Sequence, residues 1–288
     1  MAIIIDEKTR VLVQGVTGNQ GAFHTGQMVN FGSRVVAGVS PGRRGQEVHG
    51  VPVYETVEEA VEKHGANASI VFVPAPFAKD AAFEAVDAGI KVLVLVPEHI
   101  PVQDAMEIMA VAGGKGVTVI GPNTFGIISP GKCKMGIMPN HIYKPGPVGV
   151  VARSGTLSYE IAFTLSNADL GQTTVLGMGG DRVIGTNFVD ALKRFEADPE
   201  TKAVVMVGEI GGSAEEEASE FIKQMKKPVV AYLAGKSAPP GKRMGHAGAI
   251  IERGRGTFES KVKALTAAGA SVADLPWQVA DLVKQRLG

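Results

Sequence analysis

Short runs of aliphatic and β-branched residues punctuate the first half of the chain at 10–14, 35–39, 69–73, 92–96 and 117–120, each followed by a turn and an amphipathic stretch. Continuous runs of this kind fit strands covered on both faces, and strands alternating with helices fit a parallel sheet. The pattern predicts a doubly wound α/β unit. Thr56-Val57-Glu58-Glu59 has the form of a capping box at one of its helix starts. Between 122 and 147 the pattern stops. Pro130, Pro139, Pro145 and Pro147, with glycines at 126, 131, 136 and 146, crowd this segment, and proline removes ladder donors and fixes φ, so neither a central strand nor a long helix is expected. The alternation resumes at 148–151, 173–176, 203–207 and 229–233 and closes with a helical stretch over 276–287. The expected organisation is a first domain over 1–122, a connection over 123–147 and a second α/β domain over 148–288.

A length of 288 residues suits two domains at roughly 150 residues each. Lys plus Arg and Asp plus Glu each number 29, so no net field draws the chain to nucleic acid or an anionic bilayer, and neither is expected as a partner. The most apolar stretch, Val92-Leu93-Val94-Leu95-Val96-Pro97, falls far short of the roughly 18 residues a membrane helix needs. One cysteine, Cys133, permits no internal disulfide, and no His/Cys spacing suits structural zinc or another metal site. The start, Met1-Ala2-Ile3-Ile4-Ile5-Asp6-Glu7, lacks the basic flank of an export signal, and a cytoplasmic location is expected. Glycine is the compositional excess, 37 residues or about 13% against about 7% in ordinary proteins, which suggests turns bringing backbone close to a ligand.

The first such turn, Gly15-Val16-Thr17-Gly18-Asn19-Gln20-Gly21, joins the first strand to a helix and suits a phosphate at the helix's positive end. Its spacing is not the Gly-x-Gly-x-x-Gly of dinucleotide sites, and no acidic residue ends the second strand to hold a ribose. Arg43 and Arg44 stand there instead, suited to a ribose phosphate such as that of coenzyme A or NADP. A tight turn beside a solvated basic loop is the plainer alternative. Gly235-Lys236-Ser237 is not a Walker A end, because Val230 replaces the earlier glycine. In the second half, Ser154 or Thr156 can cap a helix whose first-turn N–H groups suit an anion. Glu209 follows a buried strand, where a carboxylate can orient an imidazole or simply face water, and Ser213-Ala214-Glu215-Glu216 reads as a capping box. His246 lies in Gly245-His246-Ala247-Gly248, with almost no bulk around it and cations just before, which suits a nucleophilic imidazole approached by a large ligand. An ordinary loop histidine is the alternative there. The other histidines, at 24, 49, 64, 99 and 141, are assigned structural or peripheral roles.

Taken together, the Gly15–Gly21 turn, Val73-Pro74-Ala75-Pro76-Phe77, Gly121-Pro122-Asn123, Arg153-Ser154-Gly155-Thr156-Leu157-Ser158-Tyr159-Glu160, Gly208-Glu209-Ile210-Gly211-Gly212-Ser213 and Gly245-His246-Ala247-Gly248-Ala249 resemble the succinyl-CoA synthetase (succinate–CoA ligase) α-subunit family, in its order and across the chain. The resemblance implies a Rossmann-like CoA-binding domain followed by a flavodoxin-like α/β domain. It implies reversible conversion of succinate, CoA and a nucleoside triphosphate to succinyl-CoA, the diphosphate and phosphate, through a phosphohistidine and succinyl phosphate. The implied partner is a β subunit with an ATP-grasp domain, in an αβ or α2β2 assembly, that holds ATP or GTP with Mg2+.

By the same resemblance His246 matches the phosphorylated histidine and Glu209 the acid that steadies it. Ser154, Gly155 and Thr156 match the phosphate-cradling helix start. Thr17, Gly18, Asn19 and Gln20, with Arg43 and the turn Val96, Pro97 and Glu98, match the CoA contacts. Tyr159 and Asn123 match substrate-site positions. Glycines 241, 245 and 248 are expected to let the histidine loop move. Arg43 stands where many relatives have Lys, and Thr124-Phe125 where some have Cys-Pro beside the thiol, which puts a thiol-linked role at 124 in doubt. A ligase for another carboxylate, an NADP-binding oxidoreductase and a non-catalytic CoA-sensing subunit are the competing readings.

Overall fold

The computed structural model describes residues 2–239, 241–251 and 256–288. The chain divides into two compact units: residues 4–140 with 183–186, and residues 1–3, 141–182 and 187–288.

The N-terminal unit contains β1 (Arg10–Gln14), α1 (Asn19–Phe31), β2 (Arg34–Val39), β3 (Glu47–Val48), β4 (Val51–Tyr54), α2 (Val57–His64), β5 (Ala68–Val71), α3 (Ala78–Asp87), β6 (Val92–Leu95), α4 (Val102–Gly114) and β7 (Thr118–Ile120). The strands are neighbours in the order β3-β4-β2-β1-β5-β6-β7, parallel except for the β3–β4 edge pair. From β4 onward this is the Rossmann order, in which the chain leaves β1 toward one edge and returns to build outward from β5. Leu12, Val39, Val71, Leu93 and Leu95 from the strands and Ala82, Ala85 and Ile108 from the helices form one buried cluster. Gln14 is buried in the central strand yet fully engaged: its amide donates to Ala81 O at 2.8 Å and its oxygen accepts from Ser69 Oγ at 2.8 Å. That matters because an unpartnered buried amide costs about 1–3 kcal/mol.

The proline- and glycine-rich segment holds more structure than its composition suggests. β8 (Gly126–Ser129) and β9 (Cys133–Gly136) pair as an antiparallel hairpin whose strand residues are all buried. A Cβ on Gly126 would meet Met135 O at 2.1 Å, so the glycine read as a breaker is what lets the two backbones approach. Lys134 is buried within it, donating to Met138 O at 2.5 Å and Asn140 Oδ1 at 2.7 Å, and desolvation lowers its ammonium to about 8. The compact-unit division falls after Asn140 and groups this hairpin with the N-terminal unit.

The C-terminal unit contains β10 (Pro145–Ala152), α5 (Gly155–Asn167), β11 (Gln172–Gly177), α6 (Phe188–Ala197), β12 (Ala203–Glu209), α7 (Ala214–Ile222), β13 (Val229–Ala234), α8 (Phe258–Ala267), β14 (Ser271–Ala273) and α9 (Val279–Leu287). Its parallel strands run in the order β14-β13-β12-β10-β11, the flavodoxin-like arrangement with its reversal between β10 and β12. β12 is buried at every position, the two-sided burial its unbroken apolar run predicts. No helix among the described residues is long and apolar enough to cross a membrane.

Candidate functional site

In an open α/β sheet the ligand crevice lies beyond the carboxyl ends of the strands where the order reverses. In the C-terminal unit that point is the β10–β12 pair, with Ala152 opposite Val207. The next residues are therefore neighbours at the sheet edge: Arg153 N donates to Val207 O at 3.1 Å, and Glu209 ends β12. Ser154 follows Arg153 as the N-cap of α5 and accepts from Leu157 N at 3.5 Å. The helix thus opens at the same edge as Glu209, with Thr156 exposed in its first turn.

The loop after β13 brings His246 to this edge. Its Nδ1 lies 2.8 Å from Glu209 Oε2. The carboxylate is buried, 5% exposed, whereas 30% of the His246 side chain reaches solvent. Because an ionised carboxylate only accepts, Nδ1 carries the hydrogen and the lone pair resides on Nε2. The hydrogen bond to Glu209 raises the imidazole above its ordinary value, burial opposes it, and the Arg153 charge also works against protonation.

Glycines set how tightly the two loops close. A Cβ at Gly180 would lie 2.7 Å from His246 Cδ2, so the ring rests directly on backbone. A Cβ at Gly211 would lie 2.1 Å from Gly248 O, so the Glu209 turn and the histidine loop meet main chain to main chain. Gly245 has φ +83 and Gly241 φ +75, backbone suited to glycine, whereas Gly248 leaves room for Arg153 Nη2, 2.7 Å from the Cβ it lacks. Gly248 thus makes room for the Arg153 side chain.

Arg153 is the site residue that the sequence reading passed over. Only 8% exposed, it places Nε 3.4 Å from Glu209 Oε1, the carboxylate oxygen that His246 does not use. Neither of those two atoms has a hydrogen-bond partner, so the contact is an ion pair without a directed bond. No sequence signal tied position 153 to position 209; only the pairing of β10 with β12 does.

Tyr159 lies half-buried on α5, its phenol raised to about 12 by burial. Asn123 belongs to the N-terminal unit, in left-handed conformation (φ 55), with its N–H donating to Pro97 O at 2.9 Å.

In the N-terminal unit the reversal lies between β1 and β5, and the Gly15–Gly21 turn occupies its carboxyl edge. Gly15 has φ +79, and a Cβ on Gly21 would meet Gly15 O at 2.1 Å, which makes this turn compatible only with glycine there. The N-cap of α1 is Gly18, with no side-chain cap, and Gly18, Asn19 and Gln20 are exposed while Thr17 is half-buried. The first residues of the helix, Asn19 and Gln20, are therefore open to solvent, as at an anion site. Thr17 N donates to Ser40 Oγ at 3.3 Å, which links this turn to the loop after β2. Arg43 on that loop is exposed, and its side chain makes no ion pair among the described residues; Arg44 is committed to Glu59. Val96 and Pro97 are half-buried and Glu98 exposed beyond β6.

Residues 6–99 match the CoA binding domain family, and residues 151–271 match the CoA-ligase family. Over 287 residues the chain is 62% identical to succinate–CoA ligase [ADP-forming] subunit alpha 2 of Archaeoglobus fulgidus, covering 100% of both chains. The chain belongs to the succinate–CoA ligase α-subunit family. The corresponding Methanothermobacter thermautotrophicus subunit is 59% identical, covering 99% of this chain and 97% of that one. The Staphylococcus epidermidis subunit is 54% identical, covering 97% and 93%. Among solved structures, Methanothrix soehngenii ATP citrate lyase in complex with citrate and coenzyme A superposes with TM-score 0.90 at 28% identity over 99% of this chain. The chain spans half, 50%, of that larger polypeptide.

Proposed function

We propose that this chain carries the phosphoryl group and binds CoA in a heteromeric ligase that interconverts succinate, CoA and ATP with succinyl-CoA, ADP and phosphate. The observation that carries the reading is the 2.8 Å contact between His246 Nδ1 and buried Glu209, which leaves Nε2 as the nucleophile at the sheet edge where α5 begins. The names of the relatives favour the ADP-forming reaction and imply a second subunit. No triphosphate-binding loop is legible on this chain, which favours a partner with an ATP-grasp domain as the holder of the nucleotide and its Mg2+.

His246 Nε2 attacks the terminal phosphorus; an N–P bond forms while the bond to the bridging oxygen of ADP breaks. Glu209 balances the positive charge that gathers on the ring. The N–H groups at the start of α5, at Gly155 and Thr156 with Ser154 as cap, face the transferred phosphoryl oxygens. A succinate carboxylate oxygen then takes the phosphoryl group, which breaks the N–P bond and gives an acyl phosphate. Tyr159 on α5 is the residue of the C-terminal unit assigned to hold that acid. The CoA thiolate attacks the acyl carbon, the C–O bond breaks and phosphate leaves.

The glycine turn fits the phosphates of CoA, since α1 begins without a side-chain cap. Thr17, Gly18, Asn19 and Gln20 supply that contact, Arg43 the ribose phosphate, and Val96, Pro97 and Glu98 a second edge. Labelled ATP with the purified pair of subunits should place base-stable, acid-labile phosphate on His246, discharged by succinate with CoA. A His246→Ala chain with wild-type turnover sinks this reading. The fold likeness to a citrate-binding enzyme favours a second acid as the alternative, and a panel of succinate, citrate and acetate discriminates between them.

A further inference from the structure

Behind Glu209 lies an ion pair that the reaction does not touch. Glu215 on α7 and Lys261 on α8 are both 0% exposed, and their side chains are in direct contact. The second carboxylate oxygen, Glu215 Oε1, accepts from the backbone N–H of Glu209 at 3.1 Å. Gly208 makes this possible, because a Cβ there would lie 2.7 Å from Glu215 Oε1 and 2.8 Å from its Cγ. Lys261 is held from the other side by Glu216, at 3.2 Å, which in turn accepts from Ser260 Oγ at 2.9 Å.

A buried ion pair is poor value for stability alone, since desolvating two charges often offsets their attraction and an apolar pair of similar volume does as well or better. What an apolar pair cannot supply here is the acceptor for Glu209 N–H. We propose that Glu215, locked by Lys261, is a positioning residue for phosphoryl acceptance: it fixes the main chain of Glu209, and Glu209 fixes the ring of His246. The chain of contacts is continuous, from Lys261 Nζ through the Glu215 carboxylate and the Glu209 backbone to Glu209 Oε2 and His246 Nδ1. This rests on the phosphohistidine reading for its consequence in turnover, but not for its geometry.

Two charge-free replacements separate positioning from simple stapling of α7 to α8. Glu215→Gln with Lys261→Met keeps an amide oxygen facing Glu209 N–H, and Glu215→Met with Lys261→Met removes it. The second protein, relieved of two desolvated charges but left with Glu209 N–H unpaired, is expected to melt close to wild type and to phosphorylate His246 some 10–100-fold more slowly in the assembled enzyme, with KM for CoA unchanged. Its His246, faced by Glu209, Arg153 and Asp181, should titrate closer to the ordinary value of about 6.5, read by NMR of the full chain. The Gln-bearing protein restores both rate and titration. The titration needs no nucleotide, partner or acid, so it stands apart from any failure of the functional reading. A Met-bearing protein with wild-type titration and rate overturns the proposal, as does a Gln-bearing protein equally impaired. Should the Met-bearing protein fail to fold, Gly208→Ala displaces Glu215 with both charges in place; a lowered His246 titration supports the proposal and an unchanged one overturns it.

Discussion

Glu209 decides which nitrogen of His246 stays bare, and it also raises the pH at which that nitrogen sheds its proton. Phosphorylation needs the neutral ring, so its rate should climb with pH through the raised value. In Glu209→Gln the climb moves to lower pH, while the plateau falls about 10–100-fold because the ring is no longer held. Stability has the opposite sign. A group whose folded value is raised stabilises fully below its unfolded value of about 6.5 and loses that contribution as pH rises through the folded one. The melting gap between wild type and Glu209→Gln should therefore be wider at pH 6 than at pH 9, over a constant loss from stranding Arg153. Gly180→Ala gives a second check: its Cβ, 2.7 Å from His246 Cδ2, should push the ring off Glu209 and lower the phosphorylation rate at least tenfold by direct assay. His246 and Glu209 were legible because a bare histidine loop and an acid at a strand end each point to chemistry. Arg153 and Glu215 were not, since their meaning comes from pairing across the sheet and from Lys261, 46 residues along. Ser213-Ala214-Glu215-Glu216 even resembles a cap, yet Ser213 makes no side-chain cap bond and Glu215 turns inward.

Elements were easier to read than their order. Continuous apolar runs marked most of the parallel strands within a residue or two, because two-sided burial leaves little alternation, but β10 begins three residues before its run and the short parallel strands β4 and β14 went unread. Local hydrogen bonds were half legible: Thr56 accepts from Glu59 N at 3.2 Å as the capping pattern requires, but the Glu59 carboxylate binds Arg44 and Lys63 instead. The β8–β9 hairpin was hidden by the glycines that make it. Helix starts carry the element-scale prediction. Ser154→Ala should cost about 0.5–2 kcal/mol by denaturant melts. It should slow phosphorylation only modestly, because the donors offered there are backbone N–H groups. Gly21→Ala is the contrasting case. Its Cβ has no room beside Gly15 O at 2.1 Å, so calorimetric CoA affinity should fall sharply while His246 labelling by ATP persists.

For the whole molecule, the proposed function puts CoA binding on the N-terminal unit and phosphoryl transfer on the C-terminal one, and the chemistry should come apart in the same way. Arg43→Ala should raise KM for CoA and leave labelling of His246 intact, whereas His246→Ala should abolish labelling and leave CoA binding by calorimetry unchanged. Cross effects in both variants would contradict that division. Bound CoA should also raise the melting temperature of the chain, with about 2.7 kcal/mol of stabilisation at a hundred times its Kd. The two α/β halves were legible because parallel sheets announce themselves in composition and rhythm.

The bare start of α1 has one more consequence. A helix whose first residue after Gly18 meets no side-chain acceptor leaves the amides of exposed Asn19 and Gln20 to water, while Ala22 N already bonds Gly18 O at 2.8 Å. Those two protons form a natural gauge of occupancy. In heavy water they should exchange quickly in the empty protein and slow only when a phosphate settles over them, so their deuterium uptake would report ligand arrival without any label on the ligand itself.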